Sequence, residues 1–361
     1  FGFGMSRSAI ATIHLDALRA NLTRIRALGG DAKVMAVVKA DAYGHGLERC
    51  ARALSDADAF GVASIADGLR LRAAGHRNRI VVLSGPDAAS DLAEMRRLDL
   101  EAVIHHDSQL ALLAAEKGGR LRVWLKLDTG MHRLGFPAER APELHERLRG
   151  MPSVDPDIAL MTHFASSDEF DNDLTARQIT CFENATRGLP GMRALSNSAG
   201  ALGWPAARGD WVRVGGLLYG LSVVEQKTGA DFGFRPAMTL STRLIAINTI
   251  RRGERIGYGS TYLCPEDMPV GVAAIGYGDG YPRSAPSGTP VRVNGAQAAI
   301  VGRVSMDLIT LDLRNAPDAR VGDGVTLWGP ELPVETVARH AGTISYELTC
   351  GVTRRVLFAE D

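Results

Sequence analysis

Eight short apolar runs, separated by amphipathic stretches, occupy the first two thirds of the chain. The runs lie at residues 33–38, 59–63, 80–83, 101–104, 121–127, 157–163, 192–196 and 211–214. Each ends at polar or glycine residues, which is typical of strands buried in a parallel sheet. Between them, stretches such as 16–28, 91–98 and 108–117 have helical spacing of apolar residues. Eight strands joined by helices predict an α/β fold, a closed (β/α)8 TIM-type barrel, over residues 14–237.

An open, doubly wound sheet is the alternative arrangement of the same elements. Its dinucleotide-binding form carries glycines in the pattern G-x-G-x-x-G. In this chain Gly276, Gly278 and Gly280 are spaced G-x-G-x-G, which is a different pattern. The sequence therefore favours the barrel.

The pattern changes after about residue 237. Runs such as TLSTRLIAINTI, TPVRVNG and DGVTLWG have the composition of strands, and glycine, proline and asparagine turns separate them. This pattern predicts a second, mostly β domain over residues 238–361, with one short helix near residues 334–340.

Charge and cysteine content limit the classes of partner. Lysine plus arginine and aspartate plus glutamate both number 41, and no long basic run suggests a nucleic-acid partner. No apolar stretch is long enough for a membrane span, and no signal peptide is evident. Cys50, Cys181, Cys264 and Cys350 lack C-x-x-C spacing, which favours reduced thiols over disulfides or a zinc site. We therefore expect a cytoplasmic protein without a metal, nucleic-acid or membrane partner.

Chemically active side chains lie where several of the predicted strands end. They are Lys39 after the first strand, Lys126 and Asp128 at the fifth, His163 at the sixth, Asn197 and Ser198 after the seventh, and Arg213, Gly215 and Gly216 at the eighth. The carboxyl ends of barrel strands meet on one face, where barrel active sites are built. Small residues after strands seven and eight suit a phosphate group. The sequence therefore predicts a phosphate-bearing ligand in the barrel mouth.

Lys39 has the most informative setting, in the run VMAVVKADAYGHG at residues 34–46. A lysine at the end of a buried strand is expected to be desolvated, which lowers the pKa of its amine and makes it a usable nucleophile or base. Such an amine can form a Schiff base with a carbonyl cofactor. A lone lysine here is more often a surface residue of a βα loop. The neighbouring residues decide between the two interpretations.

The segment VVKADAYGHG closely resembles the cofactor-lysine signature of bacterial alanine racemases, which are pyridoxal 5'-phosphate (PLP) enzymes built on a barrel. Further blocks similar to this family cover nearly the whole chain in order: LKLDTGMHRLG (125–135), MTHFASSD (161–168), SNSAG (196–200), VRVGGLLYG (212–220), GYGSTY (257–262), IGYGDGYPR (275–283), GRVSMD (302–307) and ISYELTCGVTRRV (344–356). The resemblance implies a PLP-binding barrel, and an N-terminal strand at about residues 7–13 that joins the second domain.

The resemblance also implies an activity, the interconversion of L-alanine and D-alanine, which supplies D-alanine for cell-wall peptidoglycan. Moving the α-proton from one face of the substrate to the other requires a base on each side. The resemblance assigns these two roles to Lys39, which also carries PLP, and to Tyr258, which comes from the partner subunit of a homodimer. Taken alone, Tyr258 is more often interpreted as a buried core tyrosine.

Contacts to PLP follow from the same resemblance. The phosphate contacts would be Tyr43, Ser198, the amides of Gly215 and Gly216, and Tyr346, and Asn197 also belongs to the cofactor-binding set. Arg213 would face the pyridine nitrogen, and because an arginine stays protonated it would leave the ring a weak electron sink. By itself, Arg213 could be an ordinary surface or salt-bridge arginine. His163 would pack against the ring, although a hydrogen-bonded core histidine is an equally good interpretation.

Substrate contacts complete the set. Arg133 and Met306 would meet the substrate carboxylate or a cofactor oxygen, and Met306 would act through its backbone from the partner subunit. Lys126 would be carbamylated, and an unmodified Lys126 paired with Asp128 is the plain alternative. The site entrance would be lined by Tyr277, Tyr346, Asp168, Arg283 and Arg303. Tyrosines over a small cavity would admit alanine and exclude longer side chains.

Three rival interpretations use a similar barrel. Broad-specificity or serine racemases and barrel-type amino-acid decarboxylases share the scaffold, but the decarboxylases lack the GYGSTY tyrosine and the broad-specificity racemases resemble secreted proteins. A non-catalytic PLP-carrier protein, from a different functional class, has the barrel and lysine without a second domain. The region after residue 237, with Tyr258 and Met306, favours the alanine racemase.

Overall fold

The computed structural model describes residues 9–361, which form two compact units. The barrel unit contains residues 19–218 and 223–226. The β unit contains residues 227–361, residues 219–222 and, of the described N-terminal residues, 9–18. None of the described helices combines the length and the apolar character needed to cross a membrane.

Parallel strands form the barrel unit. The first strand of the chain, β1 (Ile10–Ile13), belongs to the β unit. The strands of the barrel unit are β2 (Lys33–Val37), β3 (Ala59–Val62), β4 (Arg79–Val82), β5 (Glu101–Ile104), β6 (Val123–Asp128), β7 (Phe136–Pro137), β8 (Ala159–Met161), β9 (Arg193–Ala194) and β10 (Trp211–Val214). They are arranged β10-β2-β3-β4-β5-β6-β8-β9, and the short β7 pairs with β6. The two edge strands meet where Asp210 N donates to Arg193 O at 2.9 Å and Arg213 N donates to Ser196 O at 3.2 Å. The sheet is therefore a nearly closed barrel.

Helices precede and separate the barrel strands along the chain. They are α1 (Leu15–Gly29), α2 (Lys39–Tyr43), α3 (Leu47–Ala53), α4 (Ile65–Ala73), α5 (Ala89–Arg97), α6 (Asp107–Ala115), α7 (Ala141–Arg149), α8 (Leu174–Ala185) and α9 (Ser198–Gly203). Helix α4 illustrates how the sequence sets their ends. The hydroxyl of Ser64 accepts a hydrogen bond from Asp67 N at 3.2 Å at its start, and basic residues occupy its last turn, where the helix dipole favours them.

The barrel confirms the predicted fold class. Each of the eight strands lies within two residues of its predicted range: strand 33–38 is observed at Lys33–Val37, and strand 157–163 at Ala159–Met161. Short apolar runs were a reliable signal because these strands are buried on both sides.

The amino-terminal end of the barrel is closed by a buried cluster around Glu101, which is 0% exposed. Its carboxylate accepts hydrogen bonds from Arg79 Nε at 2.6 Å and from Trp124 Nε1 at 2.7 Å. The ring of Trp124 packs edge-to-face on Trp211, with centroids 5.6 Å apart. Removing one partner of such a buried pair leaves an uncompensated charge, so this end of the barrel contributes stability.

Antiparallel strands dominate the β unit. Its later elements are β11 (Met238–Ile250), β12 (Arg255–Ile256), β13 (Tyr262–Leu263), β14 (Met268–Ala273), β15 (Pro290–Val293), β16 (Ala296–Ile300), β17 (Ile309–Asp312), β18 (Gly324–Trp328), α10 (Val334–Ala341), α11 (Ser345–Cys350) and β19 (Leu357–Glu360). The sheet order is β14-β17-β16-β15-β18-β11-β1-β19, and β14 also pairs with β11. The mostly β character and the helix predicted near residues 334–340 are confirmed.

Strand β1 pairs antiparallel with β11 and parallel with β19. The N-terminal strand was predicted to start at about residue 7, and residues 7 and 8 lie outside the described residues.

Candidate active site

The carboxyl ends of the barrel strands carry Lys39, Lys126, His163, Ser198 and Arg213. Lys126 lies within β6, Arg213 lies within β10, and Ser198 is the first residue of α9. Lys39 follows β2, and His163 lies two residues beyond β8. Because parallel barrel strands present these ends on one face, the five side chains surround one mouth.

Helix α2, which begins at Lys39, is a single left-handed turn. This conformation was not predicted from the sequence. Ala40, Asp41, Ala42 and Tyr43 have φ angles of 53°, 52°, 55° and 54°. A left-handed conformation costs an L-residue about 1–2 kcal/mol. Four consecutive residues of this kind store strain directly beside Lys39, and such strain is characteristic of functional sites.

Polar contacts around Asp41 hold this turn. Its Oδ1 accepts hydrogen bonds from Leu47 N at 3.1 Å and from Arg70 Nη2 at 2.8 Å. Arg70 also binds Glu48 with two hydrogen bonds of 2.8 Å. The turn closes through Gly46 N, which donates to Asp41 O at 2.9 Å. The carboxylate therefore connects the strained turn to α3 and α4.

His45 supports the same turn from inside the barrel unit. The side chain is 0% exposed, and its Nδ1 lies 3.0 Å from Ala42 O and 2.9 Å from Tyr43 O. Burial lowers the pKa of His45 to about 4. The ring is therefore neutral near pH 7 and donates from Nδ1 to these carbonyl groups.

The two lysines of the mouth differ in burial, and the difference corrects the expectation that Lys39 is desolvated. Lys39 is exposed, although Val38, the residue between it and β2, is buried. Lys126 is the buried lysine, 7% exposed. Burial, followed by the charges of Arg213 and Arg133, lowers the pKa of Lys126 to about 8. An appreciable fraction of the Lys126 amine is therefore uncharged at neutral to slightly basic pH.

The carboxylate of Asp128 accepts hydrogen bonds from the turn that follows β6. Its Oδ1 accepts hydrogen bonds from the backbone nitrogens of Gly130, Met131 and His132 at 3.0–3.1 Å, and its Oδ2 lies 3.0 Å from His132 Nδ1. Partial burial raises the pKa of this carboxyl, but the hydrogen bonds from Gly130 and His132 outweigh it and lower the pKa. Across residues 9–361 no ion pair within 4.0 Å joins Lys126 to Asp128, although the charge of Asp128 opposes the lowering of the Lys126 pKa.

Arg213 is buried, 4% exposed, which is unlike a surface arginine. Its guanidinium donates to Ala194 O at 2.5 Å, Thr162 O at 2.6 Å and Leu195 O at 3.3 Å. Burial lowers the pKa of Arg213 to about 10, so it stays charged at neutral pH. Its Nη2 lies 3.4 Å from Nδ1 of His163, and burial together with the Arg213 charge holds the pKa of His163 well below its usual range. The mouth thus contains a fixed cation beside a neutral imidazole.

Tyr43, Ser198 and Gly215 lie together. Gly215 N donates to Ser198 Oγ at 2.9 Å, and a β-carbon on Gly215 would lie 2.8 Å from Cζ of Tyr43. A side chain at position 215 would therefore displace the Tyr43 ring from this place. Hydroxyl groups and backbone amides at one point are the donors that a phosphate prefers.

Asn197 follows β9, as predicted, and its side chain has a structural role. It caps α9, with its Oδ1 accepting from Gly200 N at 2.9 Å and from Ser167 Oγ at 2.8 Å. It therefore positions Ser198, the next residue. Two further barrel residues from the predicted set, Arg133 and Asp168, are exposed.

The remaining predicted residues lie in the β unit. Tyr258, Met306 and Tyr277 are 70%, 52% and 41% exposed, so Tyr258 is not a core tyrosine. Tyr277 N donates to Ser305 O at 3.0 Å, and a β-carbon on Gly259 would lie 3.0 Å from Nη1 of Arg303. The turns that carry Tyr258 and Tyr277 therefore both contact the segment 303–306. Arg283 and Arg303 are exposed, and Tyr346 is half-buried in α11.

Several supporting residues were missed by the sequence analysis. Asp41 and His45 belong to the resembled motif but were given no role, although the flanking Gly44 and Gly46 are a signal of unusual backbone. Thr162 contributes through its carbonyl oxygen, for which sequence gives no signal.

Comparison with family models covers almost the whole chain. The model of the alanine racemase N-terminal domain matches residues 13–223, and that of the alanine racemase C-terminal domain matches residues 237–359. The chain is 53% identical over 348 residues to an alanine racemase from Nitrosococcus oceani, covering 96% of this chain and 97% of that protein. It is 49% identical over 354 residues to an alanine racemase from Halorhodospira halophila, covering 98% and 97%.

Solved structures give the same result. The biosynthetic alanine racemase from Pseudomonas aeruginosa superposes with a TM-score of 0.95 at 42% identity, covering 98% of this chain and 99% of that one. The alanine racemase from Acinetobacter baumannii has a TM-score of 0.92 at 37% identity, covering 98% and 100%. These similarities exceed what the fold alone requires. The chain belongs to the alanine racemase family of amino-acid isomerases.

Proposed function

We propose that this chain binds PLP on Lys39 and interconverts L-alanine and D-alanine by a two-base mechanism. The observation that carries the proposal is the grouping around one barrel mouth of the Lys39 turn, the Tyr43–Ser198–Gly215 cluster and the buried Arg213. PLP has an aldehyde, a phosphate and a ring nitrogen. The amine of Lys39 matches the aldehyde, the cluster matches the phosphate, and the guanidinium of Arg213 matches the ring nitrogen.

The residues present fit PLP. Tyr43, Ser198 and the amides of Gly215 and Gly216 would hold its phosphate, Lys39 would hold its aldehyde carbon covalently, and Arg213 would face its ring nitrogen. When bound, PLP withdraws electrons from the α-carbon of an amino acid, which makes the α-proton removable.

Each base has a separate task in this proposal. Lys39, exposed at the mouth, removes or returns the α-proton on one face, and the hydroxyl of Tyr258 does so on the other. Arg213 donates hydrogen bonds and keeps its own proton, since its pKa of about 10 leaves it charged at neutral pH. Arg133 carries a positive charge near Lys126 and would bind the substrate carboxylate.

We also propose that Tyr258 serves the site of a partner subunit in a homodimer. Tyr258 is 70% exposed in the single chain, and Met306 on the neighbouring segment is 52% exposed. A group that transfers a substrate proton works best where bulk water is excluded. A second copy that covers this face would exclude water and would also bury the apolar side chains.

The activity is tested by adding PLP to the purified protein and following L-alanine by chiral chromatography, with serine, lysine and arginine in parallel. Alanine should react far faster than the other three. Comparable rates on serine or lysine would replace the proposal by a broad-specificity racemase. Lys39→Ala should abolish activity and covalent PLP, whereas the exposed control Lys117→Ala should change neither. Growth of a D-alanine-requiring bacterium that expresses the chain tests its supply of D-alanine for peptidoglycan.

Subunit sharing is tested by mixing two inactive variants, Lys39→Ala and Tyr258→Phe. In a mixed dimer, one of the two sites contains both bases, so part of the activity should return. No recovery in a verified mixed dimer would exclude the shared site.

A further inference from the structure

The buried amide of Gln178 joins two loops of the barrel mouth. Gln178 is 0% exposed and lies on α8. Its Oε1 accepts from Ala165 N at 3.0 Å, and its Nε2 lies 3.1 Å from His163 O and 3.3 Å from Thr129 Oγ1. One side chain of an outer helix therefore fixes the segment after β8 and the segment after β6.

A chain of short contacts leads from Gln178 to Arg213. Thr129 Oγ1 lies 2.8 Å from Thr162 Oγ1, and Thr162 is 0% exposed. The carbonyl of Thr162 accepts from Arg213 Nη2 at 2.6 Å. The next residue, His163, contributes both the carbonyl that Gln178 binds and the ring that lies 3.4 Å from Arg213.

Arg213 depends on these backbone groups for its orientation. Over the described part of the chain it has no carboxylate within ion-pair distance, and its hydrogen-bond acceptors at 3.3 Å or less are carbonyl oxygens. A carboxylate attracts a guanidinium from a range of positions, whereas a single carbonyl dipole does so only when it is well placed. A small rotation of the Thr162–His163 peptide would therefore misalign the hydrogen bond that Nη2 of Arg213 donates to Thr162 O.

We propose that Gln178 is a positioning residue that keeps the Thr162–His163 peptide in place, so that the guanidinium of Arg213 points at the ring nitrogen of PLP. The inference rests on the proposed function, because it needs PLP in the barrel mouth. Gln178 itself touches neither the cofactor nor the substrate in this proposal.

The chain offers a matched control in Gln109. This glutamine is also buried, 3% exposed, and lies on α6. Its Oε1 accepts from His105 N at 2.8 Å, and its Nε2 donates to the carbonyl groups of Ser84 and Pro86 at 3.2 Å. It joins two loops in the same manner, and within residues 9–361 its hydrogen bonds do not reach the segments around Thr162.

The test compares two ligands on the apoprotein, PLP and 1-deaza-PLP, in which carbon replaces the ring nitrogen. Both keep the aldehyde and the phosphate, so they differ only at the atom that Arg213 would face. Gln178→Met conserves volume and removes the hydrogen bonds. It should weaken PLP binding by about tenfold, as expected for a misplaced charged hydrogen bond, with a much smaller loss for 1-deaza-PLP. Gln109→Met should weaken both ligands equally or not at all.

Equal weakening of both ligands by Gln178→Met would overturn the proposal, as would a wild-type protein that binds the two ligands equally. If Gln178→Met does not fold, Thr129→Val removes the link to Thr162, and it should show the same ligand preference. Thr129→Ser keeps the hydroxyl and should restore wild-type binding. Racemisation by the wild-type protein tests the proposed function separately. If the wild type does not racemise alanine but Gln178→Met still weakens PLP more than 1-deaza-PLP, the proposed function is overturned and the role of Gln178 is supported.

Discussion

The aromatic ring of Tyr43 lies against the backbone of Gly215, so that a β-carbon on Gly215 would be 2.8 Å from Tyr43 Cζ and closer still to the hydroxyl. The two residues are far apart in the chain and meet because β2 and β10 are neighbours in the barrel sheet. This contact places a hydroxyl beside backbone amides at the site proposed for the phosphate of PLP.

Gly215→Ala tests this contact. The new methyl group must displace the Tyr43 hydroxyl, so PLP affinity should fall at least about tenfold, the usual effect of losing one hydrogen bond to a charged group. Titration of the apoprotein with PLP measures this. Gly29→Ala is the control, because a β-carbon there would lie 3.6 Å from Val212 Cγ2, an ordinary contact distance. Wild-type affinity in Gly215→Ala would show that Tyr43 does not bind the phosphate.

Ala40→Gly tests the strain in the left-handed turn. Ala40 has a φ of 53°, where glycine fits without a steric penalty. The free energy of unfolding should therefore rise by up to about 1 kcal/mol, although Gly usually destabilises. Ala111→Gly, an exposed change within the right-handed helix α6, should lower it by about 1 kcal/mol. Urea unfolding measures both, and a loss of stability in Ala40→Gly would mean that the turn is not strained at this residue.

His45 should make stability fall in mildly acidic solution. Its pKa is about 4 in the folded chain, because burial disfavours the charged ring, and 6.5 is its ordinary value. The contribution is complete above pH 6.5 and is lost as the pH falls from 6.5 through 4, since the unfolded chain takes up the proton first. Its full size is about 3 kcal/mol.

His45→Asn keeps a donor near the position of Nδ1 and removes the titrating group. Between pH 6 and pH 4.5, the free energy of unfolding of this variant should depend on pH less steeply than that of the wild type, by about 1.4 kcal/mol per pH unit. Urea unfolding at several pH values measures the difference. Parallel curves for the two proteins would show that His45 is not held neutral.

Tyr258→Phe separates the two proposed bases. It keeps the ring and removes the hydroxyl, so PLP binding should survive while proton transfer fails on one face of the substrate. By the family resemblance, Lys39 serves D-alanine and Tyr258 serves L-alanine. In heavy water, the variant should therefore exchange the α-proton of D-alanine on the order of a hundredfold faster than that of L-alanine. Tyr262→Phe, in the nearby strand β13, should exchange both enantiomers as the wild type does. Equal exchange of both enantiomers by Tyr258→Phe would rule out the two-base mechanism.

The two-part fold and the position of the mouth could be predicted from the sequence. The apolar run at residues 33–38 predicted a strand observed at Lys33–Val37, and the run at 211–214 is observed at Trp211–Val214. Whether a segment forms a strand or a helix follows from the spacing of its buried residues, and a few consecutive residues are enough to show that spacing. Because strand ends then set which residues face the mouth, the places of Lys39 and Arg213 followed as well.

The contacts of these residues could not be predicted, because they depend on how distant segments pack. The left-handed turn beside Lys39 is held by Arg70, which lies 29 positions from Asp41 and on another helix. The buried charge of Arg213 is balanced by carbonyl oxygens of Thr162, Ala194 and Leu195, and every residue carries a carbonyl group. A sequence pattern shows side-chain types and their local spacing. The strain of the Lys39 turn and the hydrogen bonding of backbone carbonyls depend instead on which distant segments the barrel brings together.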